Sequence, residues 1–242
     1  LDSSLIISDN PAMKRKDWLV LGGTVLFFLP FFISPALYRF YETFNSEHGM
    51  VTSFIKFALL ATFGETLGLR IRTGKYHRKG FGLIPRAIVW GFLGLGIKFA
   101  FVLFSSGVPV FLAYLGLEGA QKALAGPLTG IKILTAASSS IAMNLIFAPV
   151  MMTFHKITDA HIDATGGTIK GLFSPLPLGE ILSSLDWKTH WSFVLKKTIP
   201  LFWIPAHTVT FLLPQEMQVL FAALLSIILG FFLALASRKR ER

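Results

Sequence analysis

The sequence has no cysteine and little charge. Of its 242 residues, only 15% are Asp, Glu, Lys or Arg, whereas a soluble domain carries about 25%. The lack of cysteine excludes disulfides and thiolate chemistry. Hydrophobic residues make up 53% of the chain, 24 residues are Phe, and the mean hydropathy is +0.62. This composition predicts an integral membrane protein.

Long apolar runs recur along the chain. A membrane-spanning helix needs about 20 mostly apolar residues. Six runs meet this need, and they are continuous rather than alternating, as a membrane barrel would require. The sequence therefore predicts an all-α helical bundle of about six transmembrane helices, with five or seven as alternatives. The predicted spans are residues 18–41, 51–69, 83–104, 128–154, 191–213 and 216–237. The shorter run 108–117 either extends the third helix or lies at the interface.

Basic residues cluster at the ends of these runs, although the net charge of +10 in a soluble protein would favour nucleic-acid binding. The predicted organisation is a basic tail (1–17), one membrane domain (18–237) with an inner loop at about 156–190, and a basic tail (238–242). The positive-inside rule places both termini on the cytoplasmic or matrix side. The expected partners are the bilayer and anionic lipid at the basic inner face, with no nucleic acid.

The polar start of the sequence predicts neither a signal peptide nor an Arg-rich transit peptide. A bacterial inner membrane is therefore the first expectation for location.

Ionisable residues within spans are candidates for function because they are costly in lipid. Glu65 lies between Gly64 and Gly68, a pair that favours close helix packing. Its predicted charge partner is Lys98 or Lys132. A structural ion pair, a pore- or substrate-lining role and snorkelling to the span end are the three interpretations. Lys56 and His207 complete the in-span ionisable set.

Other polar segments carry weaker signals. Residues 135–144 hold small polar side chains that indicate close packing or a polar pore wall. The segment 155–163 holds His155, Asp159, His161 and Asp163, but its histidines are six residues apart, unlike a zinc helix, so a solvated loop is predicted. The glycines of residues 91–96 indicate helix packing. No catalytic residue, metal site or cofactor is predicted.

A stretch of the C-terminal half holds Trp203, Phe211 and Pro214, together with the polar residues His207, Thr210 and Gln218. The spacing of the first three residues resembles a pattern of the Mpv17/PMP22 family of membrane proteins, and the three polar residues replace other polar residues of that pattern. Three further matches are Asn144 with Pro149, Gly64 with Glu65, and Arg86. The resemblance covers about residues 53–237, and the first span and the inner loop fit less well.

The resemblance implies a non-enzymatic membrane protein of the kind proposed as channels for small molecules. It adds a mitochondrial inner or peroxisomal membrane as alternative locations. The leading hypothesis is a channel or pore-like transport protein for small solutes or ions, formed by one chain or by a homo-oligomer. A non-conducting scaffold or stress-response protein is the second, and a membrane-embedded enzyme is the third. The pore- or substrate-lining candidates are Glu65, Asn144, His207, Thr210, Gln218, Lys98 and Lys132.

Overall fold

The computed structural model describes residues 14–240, with side chains described up to residue 229. Within this part of the chain every regular element is helical and no strand occurs. The all-α class predicted from the continuous apolar runs is therefore confirmed. Residues 1–13 of the predicted N-terminal tail lie outside the described residues.

The first two helices belong to one compact unit. Helix α1 spans Arg15–Ile33 and α2 spans Pro35–Glu47. They are separated at Ser34, whose backbone is extended (φ −110°, ψ 101°) because the residue before a proline disfavours the helical conformation. The predicted first span, 18–41, is thus wrong as one helix, since Pro35 ends the first helix and starts the second.

Three long helices follow in the second unit, His48–Arg242. They are α3 (Gly49–Thr73), α4 (Leu83–Tyr114) and α6 (Gly130–Ala164), and the short α5 (Ala120–Ala123) lies between the last two. Most of the run 108–117 extends α4, as one of its two predicted interpretations has it, rather than lying separately at the interface. Within the described residues, four helices are long and apolar enough to cross a membrane: α1, α3, α4 and α6. The molecule is therefore a helical membrane protein.

The predicted inner loop, about 156–190, is largely helical. Helix α6 has 35 residues and continues to Ala164. At 1.5 Å per residue it is about 52 Å long, well beyond the ~30 Å of a bilayer core. Hydropathy falls where the helix leaves the apolar layer, but the helix itself does not end there. Three short helices complete this region: α7 (Ile169–Leu172), α8 (Leu178–Ser184) and α9 (Trp187–Thr189).

The last part of the chain contains a π-helix, His190–Trp203, which runs into α10 (Ile204–Leu212). Helix α11 then spans Gln215–Arg240, so it includes most of the predicted basic C-terminal tail. Pro214 lies between α10 and α11. Residues 241–242 of that tail lie outside the described part.

The helices of the second unit pack closely through small residues. Helix α3 lies against α4 and α11, and α6 lies against α4 and α10. A Cβ atom added at Gly94 would lie 2.7 Å from Phe57 Cβ, and one at Gly64 would lie 3.1 Å from Ile227 Cα. These contacts agree with the packing role that the sequence predicts for both glycine segments.

Two glycine turns meet next to the start of α4. Gly82 and Gly167 both have φ +68°, which side chains with a Cβ rarely adopt. A Cβ atom at Gly167 would lie 2.5 Å from both the Gly80 oxygen and the Gly82 nitrogen. The turn after α6 therefore fixes the backbone from which α4 begins.

Candidate functional site

Arg86, in the first turn of α4, binds three carboxylates. Its Nη1 donates to Glu65 Oε2 at 2.9 Å and to Asp159 Oδ1, and its Nη2 donates to Asp163 Oδ1 at 2.9 Å. The side chain is only 7% exposed. Its Nε donates to the Phe81 carbonyl at 2.8 Å, so the loop before α4 orients the guanidinium.

Glu65 joins this arrangement to two aromatic side chains. Its Oε1 accepts a hydrogen bond from Trp90 Nε1 at 2.7 Å and lies 3.0 Å from His155 Nε2. The Trp90 and His155 rings contact each other, with centroids 4.3 Å apart. We call this group the charged cluster; its members are Glu65, Arg86, Trp90, His155, Asp159 and Asp163.

The predicted lysine partners of Glu65 are wrong. Lys132 Nζ instead donates to the Gly126 carbonyl at 2.9 Å, near the start of α6. The stem of Lys98 lies beside Gly49, at the opposite end of α3 from the loop that leads to Arg86. Arg86 supplies the charge because α3 and α4 are joined by a short loop, which places the end of one helix beside the start of the next.

Helical spacing explains how α6 contributes to the cluster. His155, Asp159 and Asp163 are four residues apart, so they lie on one face of the extended helix. The prediction of a solvated loop is wrong for this segment. His161 lies outside the cluster, is 4% exposed and has no hydrogen-bond partner at either ring nitrogen. In the sequence, the four-residue spacing of His155, Asp159 and Asp163 indicates a shared helical face. The prediction of a loop considered only the six-residue spacing between the two histidines.

The cluster has donors suited to a cation. One ligand atom each of Glu65, His155 and Asp159 lie within 4.8 Å of one another. Imidazole nitrogen and carboxylate oxygen are both metal ligands, and both also accept and release protons. One of the candidate lining residues, Glu65, thus has partners that the sequence did not predict for it.

A second polar group lies between α6 and α10. His207 Nδ1 lies 3.0 Å from Asn144 Nδ2 and 3.2 Å from its Oδ1, and Asn144 is fully buried. Ser140 Oγ donates to the Ile204 carbonyl at 2.7 Å, which also ties α6 to α10. The His207 ring stacks on Trp203 with centroids 5.0 Å apart. This group is an interhelical hydrogen-bond network.

Two further candidate lining residues, Thr210 and Gln218, donate hydrogen bonds to backbone carbonyls close to them in the sequence. Thr210 Oγ1 donates to the Ala206 carbonyl, and Gln218 Nε2 donates to the Leu213 carbonyl at the turn before α11. Phe211 is fully buried and contacts Phe101, with ring centroids 5.2 Å apart. Pro149 lies inside α6, between the two polar groups.

Several buried polar atoms have no protein partner. Among the described residues, these include the hydroxyls of Thr135 and Ser139 and the indole nitrogen of Trp203. Thr135 and Ser139 are four residues apart on α6 and are both fully buried. Native structures pair nearly all such groups with protein or water. Thr135 and Ser139 therefore bring two unpaired hydroxyls together on one face of α6.

The two polar groups lie at different levels of the bundle. Asn144 and His155 are eleven residues apart on α6, which corresponds to about 16 Å along the helix. The unpaired hydroxyls of Thr135 and Ser139 lie further along in the same direction from the charged cluster. Polar groups are thus distributed along most of the length of α6.

In comparisons with protein-family models, curated proteins and solved structures, no match to this chain was found.

Proposed function

We propose that this protein is a non-enzymatic transport protein of the Mpv17/PMP22 type that conducts small solutes or ions across a membrane. On this proposal the bundle has six spans. The fifth is the π-helix together with α10, a continuous helical segment interrupted by no turn, and the sixth is α11.

The observation that carries the proposal is the charged cluster within the helix bundle. The side chains of Glu65, His155 and Asp159 are each 19–24% exposed, so part of the cluster lies at the protein surface. Charged groups in membrane helices face the bundle interior or a water-filled cavity rather than lipid. The exposed part of these side chains then faces water at this end of the bundle, where a path for solutes would begin.

The unpaired hydroxyls and the Asn144–His207 pair support the same proposal. They extend the polar character of α6 from the charged cluster toward the other end of the helix. Pro149 lies between them, and proline in a membrane helix frees a carbonyl that neighbours or water must satisfy. A polar strip along one long helix is what a solute path between helices would need.

The proposed orientation rests on the basic residues at the end of α3 and in the loop that follows it. Arg72, Lys75, Arg78 and Lys79 are exposed at this end of the bundle. The positive-inside rule assigns this end to the cytoplasm or matrix, which places the charged cluster on that side. A bacterial inner membrane is the proposed location, with a mitochondrial inner or peroxisomal membrane as alternatives.

The test is solute and ion flux into liposomes that contain the purified protein. We expect flux above protein-free liposomes, and a reduction of at least several-fold for Glu65→Gln, because the cluster loses a charge bound to Arg86. Glu118→Gln is the matched control, since it removes the same charge from an exposed position outside the cluster. Absence of flux from the unmodified protein would rule out conduction of the solutes tested, and equal flux in both variants would remove Glu65 from the path.

A non-conducting scaffold is the second candidate, and one observation favours it. Arg86 is fully engaged with three carboxylates from two other helices, as a structural lock would be. The exposed basic loop would then bind anionic lipid headgroups. Stable folding and lipid binding without flux would support this alternative.

A further inference from the structure

We propose that Glu65, His155 and Asp159 form a binding site for a divalent transition-metal cation. This inference rests on the proposed function for the role of the ion, because it names a class of ion that the cluster of a transport protein would hold. Binding itself is testable without any measurement of transport.

The positions of the donor atoms fit one ion. Glu65 Oε1 lies 3.0 Å from His155 Nε2, which in turn lies 3.6 Å from Asp159 Oδ1. With metal–ligand bonds of about 2.0–2.2 Å, neighbouring donors on one ion lie roughly 3.0–3.5 Å apart. The three atoms therefore lie close enough for a single ion to bridge them, with Asp159 Oδ1 shared between the ion and Arg86 Nη1.

Two helices hold these donors. His155 and Asp159 lie one turn apart on α6, and Glu65 comes from α3. Arg86 binds the other oxygen of Glu65, and Trp90 donates to the oxygen that faces His155. Such outer contacts orient ligands in metal sites, and their loss typically lowers metal affinity about 10–100-fold.

The charge balance also favours a cation at this position. Glu65 and Asp159 both rely on Nη1 of a single guanidinium, and Arg86 is further shared with Asp163. A further positive charge beside His155 Nε2 would compensate the two carboxylates. A metal ion supplies it when Nε2 is deprotonated and the imidazole proton resides on Nδ1; a proton on Nε2 is the competing occupant.

The mixture of donor types selects the class of ion. Mg²⁺ and Ca²⁺ prefer oxygen ligands alone, whereas imidazole suits zinc, copper, nickel and iron. The expectation of no metal site, drawn from the histidine spacing, therefore does not extend to this set, which uses one histidine with carboxylates from two helices.

The experiment is a Co²⁺ titration of the full-length protein, purified with a histidine-free tag and stripped of metal by a chelator. Co²⁺ is used because its visible absorption reports ligand binding, and Zn²⁺ then competes for the site. We expect one equivalent per chain to bind, and at least 10-fold weaker binding for His155→Gln and for Asp159→Asn. His77→Gln and Glu118→Gln, both at exposed positions outside the cluster, should bind like the unmodified protein.

Thermal unfolding without metal shows which variants retain the fold, and only those are compared. Failure of the unmodified protein to bind Co²⁺ in a saturable way would overturn the inference. Equal affinity in folded His155→Gln would do so as well, because the ion would then bind without His155. Flux without metal binding removes this inference and leaves the proposed function, whereas metal binding without flux removes the proposed function and leaves the site.

Discussion

Arg86→Gln is expected to lower the stability of the folded protein by about 3–5 kcal/mol, the usual cost of removing one partner from a buried charge network. The reason is that Glu65, Asp159 and Asp163 would be left without the guanidinium that they share. For a chain of this size the unfolding temperature should fall by roughly 10 °C or more. Thermal unfolding in detergent, followed by circular dichroism, measures the change.

Arg78→Gln is the control for Arg86→Gln. Arg78 also pairs with Asp163, but at 3.8 Å and with 55% of its side chain exposed. Exposed pairs contribute about 0–1 kcal/mol, so this variant should unfold close to the unmodified protein. Adding Glu65→Gln and Asp159→Asn to Arg86→Gln should recover much of the loss, because the two more buried of the three orphaned carboxylates are then neutral. Equal unfolding temperatures for Arg86→Gln and Arg78→Gln would show that the cluster does not stabilise the fold.

Gly167→Ala should destabilise the protein by roughly 2–5 kcal/mol. A residue with a Cβ costs about 1–2 kcal/mol in the left-handed region, and Gly167 has φ +68°. The new Cβ would also lie 2.5 Å from backbone atoms of Gly80 and Gly82, and overpacking of this kind typically costs a further 1–3 kcal/mol. Backbone atoms cannot rotate away as a side chain can, so the turn or the start of α4 must shift.

A comparison with the neighbouring Gly166→Ala separates the steric cost at Gly167 from the cost of the left-handed backbone. It has φ +70°, but a Cβ there would meet nothing within 4 Å. Gly166→Ala should therefore show the left-handed cost alone and remain clearly more stable than Gly167→Ala in the same unfolding measurement. If the two variants unfolded together, the close contact between the two turns would be incorrect.

The positions of the apolar helices could be predicted from hydropathy. Continuous apolar runs placed α3 and α4 and the apolar part of α6, and the glycines indicated close packing. Proline chemistry split the first predicted span at Ser34, a local effect that a hydropathy window averages out. The polar end of α6 was missed because a helix continues beyond the membrane without the apolar signal that defines a span.

The partners of Glu65 could not be predicted from hydropathy and local spacing. Arg86 is 21 residues away and His155 is 90 residues away, so only the packing of three helices brings them together. A basic residue at the end of an apolar run, as Arg86 is, usually indicates topology in a membrane protein, so its contact with Glu65 is not evident from the sequence. Asn144 and His207 were predicted as polar candidates, but their contact also depends on tertiary packing.

On the proposed function, water and solutes reach the polar side chains along α6, from Thr135 and Ser139 to the charged cluster. Because the chain has no cysteine, single cysteines can be introduced and modified without background. Only a thiolate reacts with a charged thiosulfonate reagent, and a thiolate forms in water rather than in a dry helix interface. Reaction rates and flux, measured on the same liposomes, therefore report a wet path directly.

Ser139→Cys is the decisive variant. Ala223→Cys is the buried control, because this fully buried residue lies on α11, which packs against α3, and Tyr114→Cys is the exposed positive control at 83% exposure. We expect Ser139→Cys to react and the added group to block flux, while Ala223→Cys remains unmodified. Modification of Tyr114→Cys alone, with Ser139→Cys as inert as Ala223→Cys, would contradict a water-filled path along α6.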